Sequence, residues 1–140
     1  MNRALAAIVA LIGLGIATYL TVVHYTGGAS VCAIAHGCET VQKSRYSMFA
    51  GVPVALLGAL TYLAILATLT RTGEAARTAT SFLAIGGLAF SVYLTYTEVF
   101  VLHAICIWCV GSAICMLILA VLTTTQWLRS DPLPRPVNAR

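Results

Sequence analysis

ICIWCVGSAICMLILAVLTTTQW, residues 105–127, holds no charged residue and opens on a C-x-x-C, Cys106-Ile107-Trp108-Cys109. An apolar run of this length matches the roughly 20 residues, rising about 1.5 Å each, that an α-helix needs to cross a hydrocarbon core. Three similar runs precede it, at residues 4–23, 53–70 and 78–96. Composition agrees, since 60% of the 140 residues are apolar and only 9% are charged, and a mean hydropathy of +0.94 does not suit a soluble domain. The expected fold is all-α: an integral membrane four-helix bundle over residues 1–128. A tail at 129–140 follows, where Pro132, Pro134 and Pro136 prevent a helix and leave a mobile segment. The first run also resembles a secretory signal, but its apolar core exceeds the usual h-region and favours a spanning helix.

Loop charge sets the expected orientation, because basic residues are retained on the cytoplasmic side. Arg3, Arg71, Arg77, Arg129, Arg135 and Arg140 fall on one face, against Lys43 and Arg45 on the other. Both termini are therefore expected in the cytoplasm. The loop after the first run and the head of the last run then face a periplasmic or outer compartment. The net charge of +4 is accounted for by this bias and gives no reason to expect nucleic acid as a partner.

The one sizeable loop begins with the turn-rich Thr26-Gly27-Gly28-Ala29-Ser30 and carries Cys32, His36 and Cys38. After it, Val41, Tyr46 and Phe49 alternate with Gln42, Lys43 and Arg45, which suits a short interfacial helix over 39–49, capping the bundle's outer mouth. Gly51-Val52-Pro53 then starts the second run, with proline expected in the first helical turn. Gly13, Gly15, Gly58 and Gly86-Gly87 are small positions at which helices can approach closely in lipid.

The chemistry resides in two cysteine pairs, Cys32-x5-Cys38 and Cys106-x2-Cys109. In the expected orientation they share one disulfide-permissive side. Thiol-disulfide exchange needs an attacking thiolate, an accessible disulfide and a resolving thiol, and two pairs within reach can pass electrons from one to the other. A helix N-terminus at the C-x-x-C favours the thiolate. Two static disulfides, or a zinc held by four thiolates, would use the same residues. Against these stand the two-residue spacing at a helix end and an oxidising compartment, which works against four reduced thiols, so no metal is expected. Cys115 lies about 9 Å deeper than Cys109 on another face and reads as a buried thiol. His36 is a possible proton carrier or a solvated loop histidine. Glu98 and His103 are expected at the interface, outside hydrocarbon, and Trp108 is assigned packing rather than catalysis.

Taken together, these motifs resemble the membrane disulfide-forming enzymes related to vitamin K epoxide reductase, in their compact bacterial form. The resemblance runs from Cys32 to Cys115. It is carried by the loop pair, by Ser44 six residues after Cys38, by the run Ser44-Arg45-Tyr46-Ser47-Met48-Phe49-Ala50-Gly51-Val52-Pro53, and by the C-x-x-C at the head of the last run.

The resemblance implies a quinone-dependent thiol-disulfide oxidoreductase in a bacterial inner membrane. Cys32 would exchange with a reduced thioredoxin-like protein, Cys38 would bridge transiently to Cys106, and Cys109 would face the quinone, ubiquinone or menaquinone. Ser44 would orient the quinone or a thiolate. Phe49, Val54, Leu57 and Ala113 are candidate neighbours of the quinone head. Many bacterial relatives carry a fused thioredoxin-like domain, absent here, so a separate periplasmic or extracellular partner is expected. The tyrosine that vertebrate members carry four residues after the second C-x-x-C cysteine is Ala113 here, which argues against vitamin K epoxide as substrate and against coumarin sensitivity.

Two other functions use similar features. One is the unrelated four-span quinone-linked disulfide oxidases, which usually place the C-x-x-C in the first outer loop, the reverse of this order. The other is a non-catalytic accessory subunit or membrane metal carrier using its thiols for a soft ion.

Overall fold

A backbone removed from water must satisfy its N–H and C=O groups internally, so long apolar runs fold as helices. In the computed structural model the described residues are 3–27 and 37–130, the Ser130 side chain excepted. Cys32, His36 and the tail at 131–140 lie outside them. The chain forms α1 (Arg3–Thr26), α2 (Gly37–Lys43), a 3-10 turn (Arg45–Ser47), β1 (Met48–Phe49), β2 (Val52–Pro53), α3 (Val54–Leu69), α4 (Glu74–Tyr96), a π-helical turn (Thr97–Leu102) and α5 (Ile107–Ser130).

Three segments are long and apolar enough to cross a membrane: α1, α4 with its π turn, and α5. The second apolar run is shorter than expected. Pro53 is drawn into β2 and Thr70 closes the other end, leaving an α3 of 16 residues, about 24 Å of helix against a core about 30 Å thick. α1 packs on α3 and α5, and α4 packs on α5 and α3. One end of this arrangement gathers Leu20, Cys38, Ala55 and Cys106, whereas the opposite end gathers Arg3, Arg71, Arg77 and Gln126. Successive long helices therefore run in alternating directions.

Tyr62 of α3 organises the interior. It is fully buried, and its hydroxyl donates to the Ser112 carbonyl of α5 at 2.8 Å. Its ring lies directly on the α1 backbone at Gly13, where any Cβ would overlap it. Gly13 is thus a true close-approach position. Gly15, grouped with it on sequence grounds, faces open space.

The segment between α1 and α3 differs from the single helix expected over 39–49. Ser44 adopts an extended backbone and its hydroxyl donates to the Val41 carbonyl at 2.7 Å, which ends α2 at Lys43. The chain then makes an antiparallel hairpin in which Met48 pairs with Pro53 and Phe49 with Val52. Ala50 and Gly51 form its two-residue turn with φ of 51° and 83°, the left-handed geometry that matches strand twist. Pro53 consequently ends β2 and precedes α3 as its N-cap instead of sitting within the first helical turn.

Because the Tyr62 ring occupies the place of a side chain at Gly13, Gly13→Val should cost about 1–3 kcal/mol through overpacking. Gly15→Val should be nearly neutral. Thermal unfolding of both variants in the same detergent checks the contrast, and equal melting temperatures would refute the packing assignment.

Candidate functional site

Cys106 is the N-cap of α5. Its carbonyl accepts the first helical bond, from Val110 N at 3.0 Å, and its sulfur accepts the N–H of Cys109 at 3.4 Å. The C-x-x-C spacing thus places the first cysteine where a capping side chain belongs and the second at the third helical position, whose N–H such a cap satisfies. Cys106, Cys109 and Cys115 are free thiols, whereas Cys38 is disulfide-bonded. The Cys109 thiol, hydrogen-bonded to Cys106, holds the Cys106 thiol below its ordinary range. Burial opposes this, the Cys109 backbone N–H assists, and the Glu98 carboxylate opposes. Cys106 is therefore the readier thiolate of the pair.

Cys38 and Cys106 are both fully buried and share one apolar cluster with Leu20, around which Ile16, Tyr19, Val41, Ala55, Trp108 and Cys109 pack. Close approach of α2 makes this possible. At Gly37 the backbone lies so near that of Ile105 that a Cβ would collide with the Ile105 carbonyl. Trp108 supports the wall, its ring 5.2 Å from that of Tyr19.

Cys109 has a second aspect. It lines a cavity of about 500 Å³, within the range of small-molecule sites. The walls come from all four long helices and the roof from Val41, Gln42, Tyr46 and Phe49 of the α2–hairpin segment. Along α4 and its π turn the lining runs from Phe82 to Glu98, about 24 Å of helix, and Phe82 is 80% exposed. Most of the wall is apolar; polar atoms come from Gln42, Tyr46 and Ser47 at the roof, from Thr61 and Tyr62 of α3, and from Ser91, Thr95, Glu98, Cys109 and Ser112.

Of the residues singled out from sequence as quinone neighbours, Phe49, Val54 and Leu57 line this cavity, while Ser44 and Ala113 are not among its lining residues. Ser44 instead spends its hydroxyl on Val41. Cys32 lies outside the described residues. Cys115 packs in the central core with Met116 and Leu119, away from the other thiols.

Glu98 departs from expectation. Instead of reaching the interface it is only 3% exposed, and its Oε2 accepts the backbone N–H of Cys106 at 3.1 Å. The π turn and His103, left-handed at φ 51°, fold the link back over the Glu98 carbonyl, which accepts the Ala104 N–H at 3.0 Å. That reversal carries the start of α5 onto the carboxylate. The sequence signal was an acidic residue eight positions before a C-x-x-C, and helical periodicity cannot register the extra residue of a π turn.

Residues 4–124 match the model of the vitamin K epoxide reductase family, and the chain belongs to that family. It is thus a membrane oxidoreductase.

Since the Cys109 thiol is the chief group lowering Cys106, Cys109→Ala should move the pH midpoint for alkylation of Cys106 upward. The fully reduced protein, treated with a small alkylating reagent across pH and read by mass spectrometry, provides the measurement. An unchanged or lower midpoint would contradict the assigned cause.

Proposed function

We propose that this family member reoxidises a thioredoxin-like protein outside the cytoplasm and passes the electrons through its two cysteine pairs to a membrane quinone. One observation carries the reading: the C-x-x-C joins two surroundings, since both its cysteines belong to or pack against the Cys38 cluster and Cys109 alone of the two also lines the cavity. Cys106 is buried beside disulfide-bonded Cys38, and Cys109 lines the large apolar cavity. Four spans, with both termini inside and the cysteines at the outer end, complete the arrangement; α3 spans by virtue of its neighbours despite its length.

The cavity suits a lipid quinone by its chemistry. An apolar passage extending from an exposed Phe82 of α4 toward Glu98 accommodates an isoprenoid chain, and the polar lining residues offer partners to a ring carrying two carbonyl oxygens. Cys109, Glu98 and Ser112 would surround that ring, with Phe49, Val54 and Leu57 against its faces and tail. A bound ubiquinone or menaquinone would supply the two-electron acceptor that the thiols lack. Ser44 is left with a positioning role, holding the α2–hairpin roof through Val41. Ala113 would act only as packing behind the site.

The electron relay follows from thiol chemistry. A reduced partner delivers electrons to Cys32; Cys38 then attacks Cys106 and displaces Cys109; Cys32 attacks Cys38 and releases Cys106. The lowered Cys106 thiol is the better leaving group in that last exchange. In this relay the stage just before delivery to the quinone has Cys38 in a disulfide and the C-x-x-C as two thiols.

Purified protein given a reduced thioredoxin-like substrate and a ubiquinone or menaquinone analogue should lower quinone absorbance in proportion to thiols consumed. Stoichiometric metal binding without quinol would instead indicate a carrier. In a Cys109→Ala protein the Cys38–Cys106 bridge should accumulate under oxidising conditions and appear as a linked peptide by mass spectrometry; its absence would refute the order of transfer. Adding Gly37→Ala, which pushes α2 from the Ile105 carbonyl, should reduce that bridge several-fold.

A further inference from the structure

An ionisable side chain buried at the end of a membrane helix is costly and calls for a function, and the electron relay leaves Glu98 without one. The carboxylate is in contact with both halves of the C-x-x-C. Oε2 accepts the Cys106 N–H, and a side-chain hydrogen bond joins the carboxylate to the Cys109 thiol. Glu98 also lines the same cavity as Cys109, so one group touches a reacting sulfur and the space into which that sulfur delivers electrons.

We propose that Glu98 is the proton carrier of the C-x-x-C, taking the proton from the Cys109 thiol as that sulfur is oxidised and passing it to an acceptor oxygen in the cavity. The inference rests on the quinone-linked reading above. Oxidation of the dithiol breaks two S–H bonds, forms the Cys106–Cys109 bond and releases two electrons and two protons. A quinone takes up both electrons and both protons as it becomes a hydroquinone. Glu98 moves the Cys109 proton and returns to its starting state. The other proton, lost from Cys106 when its thiolate forms, is returned from water.

A carboxylate suits this task better than water because the surrounding wall is apolar and few other groups are within reach. The titratable groups facing Glu98 are Cys106, the N-cap of α5, and Cys109 within it. From α2, Cys38 is tied in its disulfide, and Glu39 pairs with Lys43 at the surface. His103, on the same link, is exposed. Across the cavity, the Tyr62 hydroxyl is already engaged with Ser112, and Tyr46 lines the roof.

The plainer role for Glu98 is structural, as an acceptor for the Cys106 N–H. Glu98→Gln separates the two, because glutamine keeps an acceptor oxygen but cannot carry a proton. With a saturating quinone analogue, Glu98→Gln should oxidise its C-x-x-C about 100-fold more slowly at neutral pH, as expected for loss of general acid–base help. Its rate should then climb with pH where the wild type is flat, and Glu98→Asp should recover part of the loss. Without quinone, reaction of the reduced C-x-x-C with a small aromatic disulfide should show the same contrast in pH profile, with melting temperature close to wild type. Equal rates and superimposable pH profiles for wild type and Glu98→Gln would overturn the proposal. If Glu98→Gln fails to fold, Glu98→Asp decides on the same profiles. A wild type that cannot reduce the quinone analogue would remove the quinone-linked reading instead, while the aromatic disulfide profile still tests Glu98.

Discussion

The free N–H groups at the start of α5 are the constraint on which the rest of the structure depends. A helix that begins inside an apolar assembly cannot hand its first donors to water, and each donor left unsatisfied costs about 1–3 kcal/mol. Two groups answer here: the Cys106 sulfur accepts from Cys109, and the Glu98 carboxylate accepts from Cys106. Both are also the groups with chemistry to offer. On the proposed reading, capping and catalysis draw on the same atoms.

Packing brings the remaining parts to that helix start. Tyr62 ties α3 to α5 through Ser112 and rests on α1 at Gly13, fixing the walls of the cavity below the C-x-x-C. Gly37 lets α2 press against Ile105, which brings Cys38 into the cluster holding Cys106. The hairpin that follows carries Phe49 over the cavity, its ring 5.9 Å from that of Phe90 on α4. The small residues thus act as spacers whose absence of side chain admits a ring in one case and a backbone in the other.

Much of this was legible in the residues themselves. Uncharged runs of about 20 residues announced α1, α4 and α5, and C-x-x-C at the head of the last run announced a helix N-terminus carrying sulfur. Phe49, Val54 and Leu57 were found as cavity-lining residues because they flank the start of the second run. What escaped notice depends on backbone geometry that residue periodicity does not encode. The hairpin rests on Ala50 at positive φ, a residue with no preference for that region. The inward turn of Glu98 rests on a π turn, and the bland appearance of residues 97–104 concealed it. Ser44 was singled out for chemistry, whereas its hydroxyl is committed to ending α2.

The two-residue spacing between the cysteines does more than permit a small ring. At N-cap and third helical position, the two sulfurs are close enough for the Cys106 sulfur to accept the Cys109 N–H. The N-cap cysteine is buried in the cluster with Cys38 of α2, while the cysteine at the third position packs against that cluster and also lines the cavity. One residue more would rotate the second sulfur by about 100° and lift it about 1.5 Å along the axis, costing both the cap and the view of Glu98. One residue fewer would leave the second sulfur on the wrong side of the turn. Among spacings near this one, the one present keeps both cysteines against the buried Cys38 cluster while giving the second access to an apolar chamber.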